Sequence, residues 1–76
     1  MPYARIEDLP ASVKRHLPEP AQDLFMRAFN GAWNTYADRD AAKREELAHR
    51  TAWSVVKRRY RKVGDRWILT ARVLLI

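Results

Sequence analysis

Apolar residues recur along this chain at helical spacing three times, and at strand spacing once. From Ala21 onward, Leu24, Phe25, Ala28, Phe29, Ala32, Trp33 and Tyr36 follow the three- and four-residue interval of one helix face. Gln22, Asp23, Arg27, Asn30 and Asn34 keep the opposite face polar. The pair Asn30-Gly31 is common in hairpin turns. The apolar period nevertheless runs unbroken across it, and a glycine inside a helix costs only about 1 kcal/mol against alanine. The pattern therefore predicts one long helix that starts at Glu19-Pro20 and runs to Tyr36. A second stripe, Leu47, Ala48, Ala52, Val55, Val56, Tyr60 and Val63, predicts another long helix, with His49, Trp53 and Tyr60 along its edge. Asp40 is its natural N-cap. Glu45 and Glu46 sit early in it, where negative charge is favoured. Gly64 is its natural left-handed stop.

Ahead of these, Leu9, Val13 and Leu17 repeat every four residues and predict a short first helix. It starts around Asp8-Leu9-Pro10, with Asp8 or Ser12 as the candidate cap, and Pro18 ends it. Residues 1–8 read as extended, with Tyr3 and Ile6 as apolar anchors. After Gly64-Asp65, Trp67, Leu69 and Ala71 alternate with Ile68, Thr70 and Arg72. A short strand paired with residues 3–6 is the expected form of this end; a frayed tail or a helical end are the alternatives. The fold class expected is mostly α: a small three-helix domain over residues 1–76, one short and two long helices, with a short strand pairing between the N-terminal and C-terminal segments.

Composition narrows the function classes. Seventy-six residues make one small core, in which three Trp, three Tyr and two Phe supply most of the bulk. Trp33 and Trp53 belong to it by their stripes, and Trp67 is expected to fold back over it. The absence of cysteine excludes a disulfide staple and a thiolate metal site and fits a reducing compartment. No apolar run approaches the roughly 20 residues that span a bilayer, and MPYARIEDLP lacks the apolar stretch of a secretory signal. The expected location is cytoplasmic, and the chain is not expected to be transmembrane itself.

Charge adds a candidate surface. The formal net charge is +6, and residues 57–66 hold six Lys and Arg against Asp65 alone. This cluster favours anionic partners: an acidic protein face, nucleic acid or an anionic lipid surface. It also complements the dipole of a helix C-terminus. Lys57, Arg58, Arg61, Lys62, Arg66 and Trp67 are the candidate partner-binding residues. Arg59 shares the apolar face and is expected half-buried, its stem alongside Tyr60.

Catalytic equipment is sparse. The chain has two histidines, His16 and His49, and no glycine-rich phosphate cradle. Glu46-x-x-His49 has the spacing of two metal ligands on one helix face, but a di-iron bundle needs a second such pair and two further Glu. The bland reading is a histidine at the core margin bonded locally. No metal, cofactor or small-molecule substrate is expected, and no enzyme activity.

Five stretches together carry a resemblance: MPY at the start, DLPASVKRHLP at 8–18, AQDLFMRAFNGAW at 21–33 with Tyr36, EELAHRTAWSVVKRRY at 45–60, and Trp67. In order and spacing they resemble the ChaB family, small bacterial proteins assigned a regulatory role in cation transport. The resemblance spans residues 1–67. It implies a compact, mostly helical domain with a small strand element, a role beside a sodium or calcium/proton antiporter, and no catalytic residue.

Two functions of different class follow. The first is a non-enzymatic regulatory module that binds a protein, a membrane cation antiporter by the resemblance, through the basic end of the third helix, Trp67 and the apolar tail. The second is non-specific DNA binding, with Lys57, Arg58, Arg61, Lys62 and Arg66 on phosphates. A membrane-surface contact through the same residues is a third reading.

Overall fold

The computed structural model describes residues 2–69. A single 3₁₀ turn, Ile6–Asp8, leads into α1 (Ala11–His16), α2 (Glu19–Thr35) and α3 (Ala41–Arg59), followed by β1 (Tyr60–Val63) and β2 (Arg66–Leu69). Three helices, one short and two long, with a small antiparallel strand pair, is the fold class expected from the sequence.

Proline writes the boundaries of the first half. The residue before a proline is pushed out of the helical region, and Leu17, before Pro18, is extended at φ −106° and ψ 137°. α2 opens one residue later with Pro20 in its first turn. Neither Asp8 nor Ser12 caps α1; Pro10 occupies the N-cap, with no side-chain bond. Gln22, expected only to face solvent, has a structural task. Its Nε2 donates to the carbonyls of Leu17, at 2.8 Å, and Lys14, at 3.2 Å, and so satisfies two carbonyls that the end of α1 would leave open.

α2 and α3 run antiparallel. Phe25, in the first half of α2, meets His49 at the middle of α3 and Trp53 in its second half. Trp33, late in α2, lies under the Arg44 guanidinium, early in α3, at 4.1 Å. Arg44 Nε also donates to the Trp33 carbonyl at 2.7 Å. The expected cap of α3 is present: the Asp40 side chain accepts from the Lys43 backbone N–H at 3.0 Å.

The core is Leu9, Val13 and Leu17, then Ala21, Phe25, Phe29 and Ala32 of α2, then Ala48, Ala52 and Val56 of α3, closed by Tyr60. Small residues on α3 face large rings on α2, which lets the two helices approach closely while the rings fill the space between them. Trp33, Tyr36, Trp53 and Trp67 are half-buried against this core. Leu47 and Val55 are half-buried on the flanks of the α3 stripe. Arg59 is exposed rather than half-buried.

Two expectations change at the ends. The third helix does not reach Gly64. It stops at Arg59, and Tyr60 is already extended at φ −128° and ψ 153°. The strand after Gly64 pairs with Tyr60–Val63, not with residues 3–6. Closing a two-residue turn orders far less chain than bringing the two ends of the protein together. Residue 3 is also held elsewhere: Tyr3 N–H donates to Asn30 Oδ1, and Asn30 Nδ2 donates to the Tyr3 carbonyl, each at 2.9 Å. The side-chain amide of α2 takes the place of a neighbouring strand. The Tyr3 ring rests on Phe29, with centroids 4.9 Å apart. The expected alternation over Thr70, Ala71 and Arg72 lies outside the described residues.

Candidate functional site

The basic cluster is built on the hairpin as much as on the helix. Gly64 has φ +66°, and no residue other than glycine has positive φ among the described residues. Positive φ at the first central position alone is the pattern of a type II′ turn, whose twist suits an antiparallel pair. The register Tyr60↔Leu69, Arg61↔Ile68, Lys62↔Trp67 and Val63↔Arg66 then assigns the faces. Side chains alternate along a strand, and Tyr60 is buried. The inward face therefore carries Tyr60, Lys62, Trp67 and Leu69, and the outward face Arg61, Val63, Arg66 and Ile68. Val63 was expected on a helical core stripe. It is 50% exposed, because the chain left the helix before reaching it.

A methyl group on Gly64 would meet no other atom within 4 Å. The cost of Gly64→Ala is therefore conformational and amounts to about 1–2 kcal/mol for an L-residue held at positive φ. Urea unfolding of the variant should show that loss with the helix content unchanged. A neutral substitution would refute the turn assignment.

The six candidate residues do not form one continuous stripe. Lys57, on α3, lines an open trough of about 850 Å³ along that helix together with Trp53, His49 and Glu46. Arg58 is exposed on the same helix. Arg61 and Arg66 share the outward hairpin face with Val63 and Ile68. Trp67 folds back as expected, its ring 5.5 Å from that of Trp53. Lys62, its cross-strand neighbour, stays exposed.

Among the described residues no ion pair neutralises this end. The ion pairs among the described residues join Arg27 to Asp23, Arg39 to Asp38, and Lys43 and Arg50 to Glu46. None involves residues 57–66. Glu46 and His49 are engaged locally. Glu46 Oε2 accepts from Arg50 at 2.9 Å, and His49 Nε2 accepts from Trp53 Nε1–H at 3.0 Å. Among the described residues no group of three or more His, Cys, Asp or Glu could hold a metal ion. No helix among them is long and apolar enough to cross a membrane.

Sequence reading missed the part that α1 plays. His16 Nδ1 lies 2.9 Å from the carbonyl of Asp65, which ties the end of α1 to the hairpin turn across 49 positions. A cleft of about 550 Å³ opens between the α1–α2 corner and β2, with Arg15 and Pro18 on one wall and Arg66 to Leu69 on the other. No local pattern announces a contact at that separation.

Comparison with known proteins agrees with this architecture. A ChaB family profile matches residues 9–69. A protein of Escherichia coli K12 named "Putative cation transport regulator ChaB" is 52% identical over 69 residues, covering 86% of this chain and 91% of the relative. A protein of the same name from Shigella flexneri matches to the same extent. The solution NMR structure of a ChaB protein described as a putative cation transport regulator superposes with a TM-score of 0.84 at 48% identity, covering 92% of this chain and 100% of that one. With matching sequence blocks, a matching profile and a shared fold, the chain belongs to the ChaB family.

Proposed function

We propose that this protein is a non-enzymatic regulatory module that acts by binding a membrane cation antiporter, of the sodium or calcium/proton kind, from a cytoplasmic position. The observation that carries the reading is the cluster of Lys57, Arg58, Arg61, Lys62 and Arg66, exposed and without an ion pair among the described residues. Such a cluster is a ready surface for an acidic protein face, since charge complementarity speeds encounter and fixes orientation. The names borne by the relatives point to cation transport. Binding that favours one state of the transporter over another would shift its activity without any chemistry by the regulator.

The test is sodium- and calcium-driven proton antiport in inside-out membrane vesicles, read with a pH-sensitive dye, with and without the purified protein. The protein should change the antiport rate. A variant with the five basic residues changed to glutamine should not, although it folds normally by circular dichroism. An unchanged rate at saturating protein would overturn the reading.

The same exposed cations favour a second reading, non-specific binding of duplex DNA. Four or five phosphate contacts give a salt slope of about −4 in log–log form. Micromolar binding of a random duplex with that slope would support it. The short turn between α2 and α3 joins two antiparallel helices and presents neither as a separate recognition helix, so sequence-specific reading is not expected.

A further inference from the structure

The cleft between the α1–α2 corner and the hairpin has a geometry that its lining discloses. All four residues of β2, from Arg66 to Leu69, border it, whereas β1 contributes Tyr60 alone. Side chains alternate across a sheet, so a cleft lying over one face would touch every second residue. Contact with four in succession places it along the strand's edge, on the side away from β1. The opposite wall holds Pro18 and Pro20, which leaves a two-walled slot beside an open strand.

The backbone of that edge is unused. A two-residue turn closes on a hydrogen-bonded pair, here Val63 and Arg66. Arg66 and Ile68 then exchange bonds with β1, and the N–H and C=O groups of Trp67 and Leu69 aim outward. Among the described residues they have no partner. The charge of the slot is one-sided. Arg15 and Arg66 border it, and no carboxylate does. On the strand side its apolar lining is Trp67, Ile68 and Leu69, the last two 41% and 57% exposed.

We propose that this slot binds an extended, acidic and aliphatic segment of a partner protein, which adds as a third strand to the outer edge of β2. Main-chain bonds to Trp67 and Leu69 supply affinity. Arg15 and Arg66 select carboxylates, and the alternate side chains of the incoming strand rest on Trp67 and the proline wall. The inference rests on the regulatory binding function proposed above and locates a contact for it. It adds Arg15 and His16 to the surface and assigns the hairpin edge, rather than the helix end, as the specific element. The side chains of the chain's own residues 70–76, TARVLLI, include an arginine and no carboxylate, and so do not supply the charge this slot selects.

The experiment uses the full chain, labelled with nitrogen-15, and an acetylated, amidated hexapeptide alternating glutamate and valine. Its lysine–valine counterpart and a version N-methylated at alternate amides serve as controls. The glutamate peptide should shift the Trp67 and Leu69 amides and slow their hydrogen exchange about tenfold, the effect of one added hydrogen bond of ordinary strength. Arg15→Gln should weaken binding about tenfold, the loss of a charge-assisted contact. Both control peptides should fail to slow these amides. Equal binding of the N-methylated peptide, or shifts confined to Lys57, Arg58 and Arg61, would overturn strand addition in the slot. Faster exchange at Trp67 and Leu69 on deleting residues 70–76, with no peptide added, would overturn it too. An effect on antiport that survives Arg15→Gln would leave the regulatory reading standing while removing the slot from it.

Discussion

Phe25→Ala should lower the stability of this protein by about 3–5 kcal/mol, the range for removing a fully buried aromatic ring. Phe25 has no exposed surface and sits where α2 and α3 meet. Its ring lies 5.2 Å from Trp53 and 5.7 Å from His49, both edge-on, and 6.4 Å from Phe29. The α3 core positions nearest this level, Ala48 and Ala52, are too short to fill the space. A chain of 76 residues has a total stability of about 4–11 kcal/mol at 0.05–0.15 kcal/mol per residue. The variant should therefore unfold partly or wholly under native conditions. Urea unfolding followed by tryptophan emission measures it directly, since Trp53 reports from the same cluster. Phe25→Leu should recover most of the loss. A cost for Phe25→Ala below about 1.5 kcal/mol would mean that the helices close over the gap, contrary to rigid packing of the core.

Asn30→Asp should have the next largest effect, about 1–3 kcal/mol, the cost of leaving a part-buried polar group unsatisfied. The amide of Asn30 both accepts from and donates to the Tyr3 backbone. A carboxylate can still accept from the Tyr3 N–H, but it sets a negative oxygen against the Tyr3 carbonyl. The N-terminal segment should then lift from Phe29, with faster exchange of the Tyr3 amide.

The phenol of Tyr3 gives an independent readout. Burial, and then the nearby Glu45 carboxylate, hold its pKa above the ordinary value of 10.0. A raised folded value means that the fold favours the neutral phenol. The contribution is complete below the ordinary value and is lost as the pH rises through the folded one. In Asn30→Asp, phenolate absorbance should titrate back toward the ordinary value. A Tyr3 titration unchanged by the substitution would show that the ring, not the amide clamp, holds the segment.

Much of this architecture is legible in the residues alone. Pro18 and Pro20 determine where α1 ends and α2 begins, because a fixed φ and a missing N–H act on the nearest neighbours. Asp40 determines the start of α3 for the same local reason. The stripe through Phe25 and Phe29 determines which face of α2 is buried, since one periodicity holds over its whole length. The basic cluster, too, needs only counting.

The tertiary structure decided the rest. The end of α3 was expected at Gly64, five residues late, because Tyr60 and Val63 fit a helical period as well as a short strand. Burial of Tyr60, the turn at Gly64 and the seat of Trp67 on Trp53 resolve it in favour of a hairpin. That hairpin places Arg61 and Arg66 on one face and Lys62 on the other, a division that consecutive numbering conceals. Asn30 on Tyr3, and His16 on the turn at Asp65, join positions 27 and 49 apart. Local propensity acts over a few residues, whereas these bonds exist only once the helices have packed and brought distant polar groups within reach.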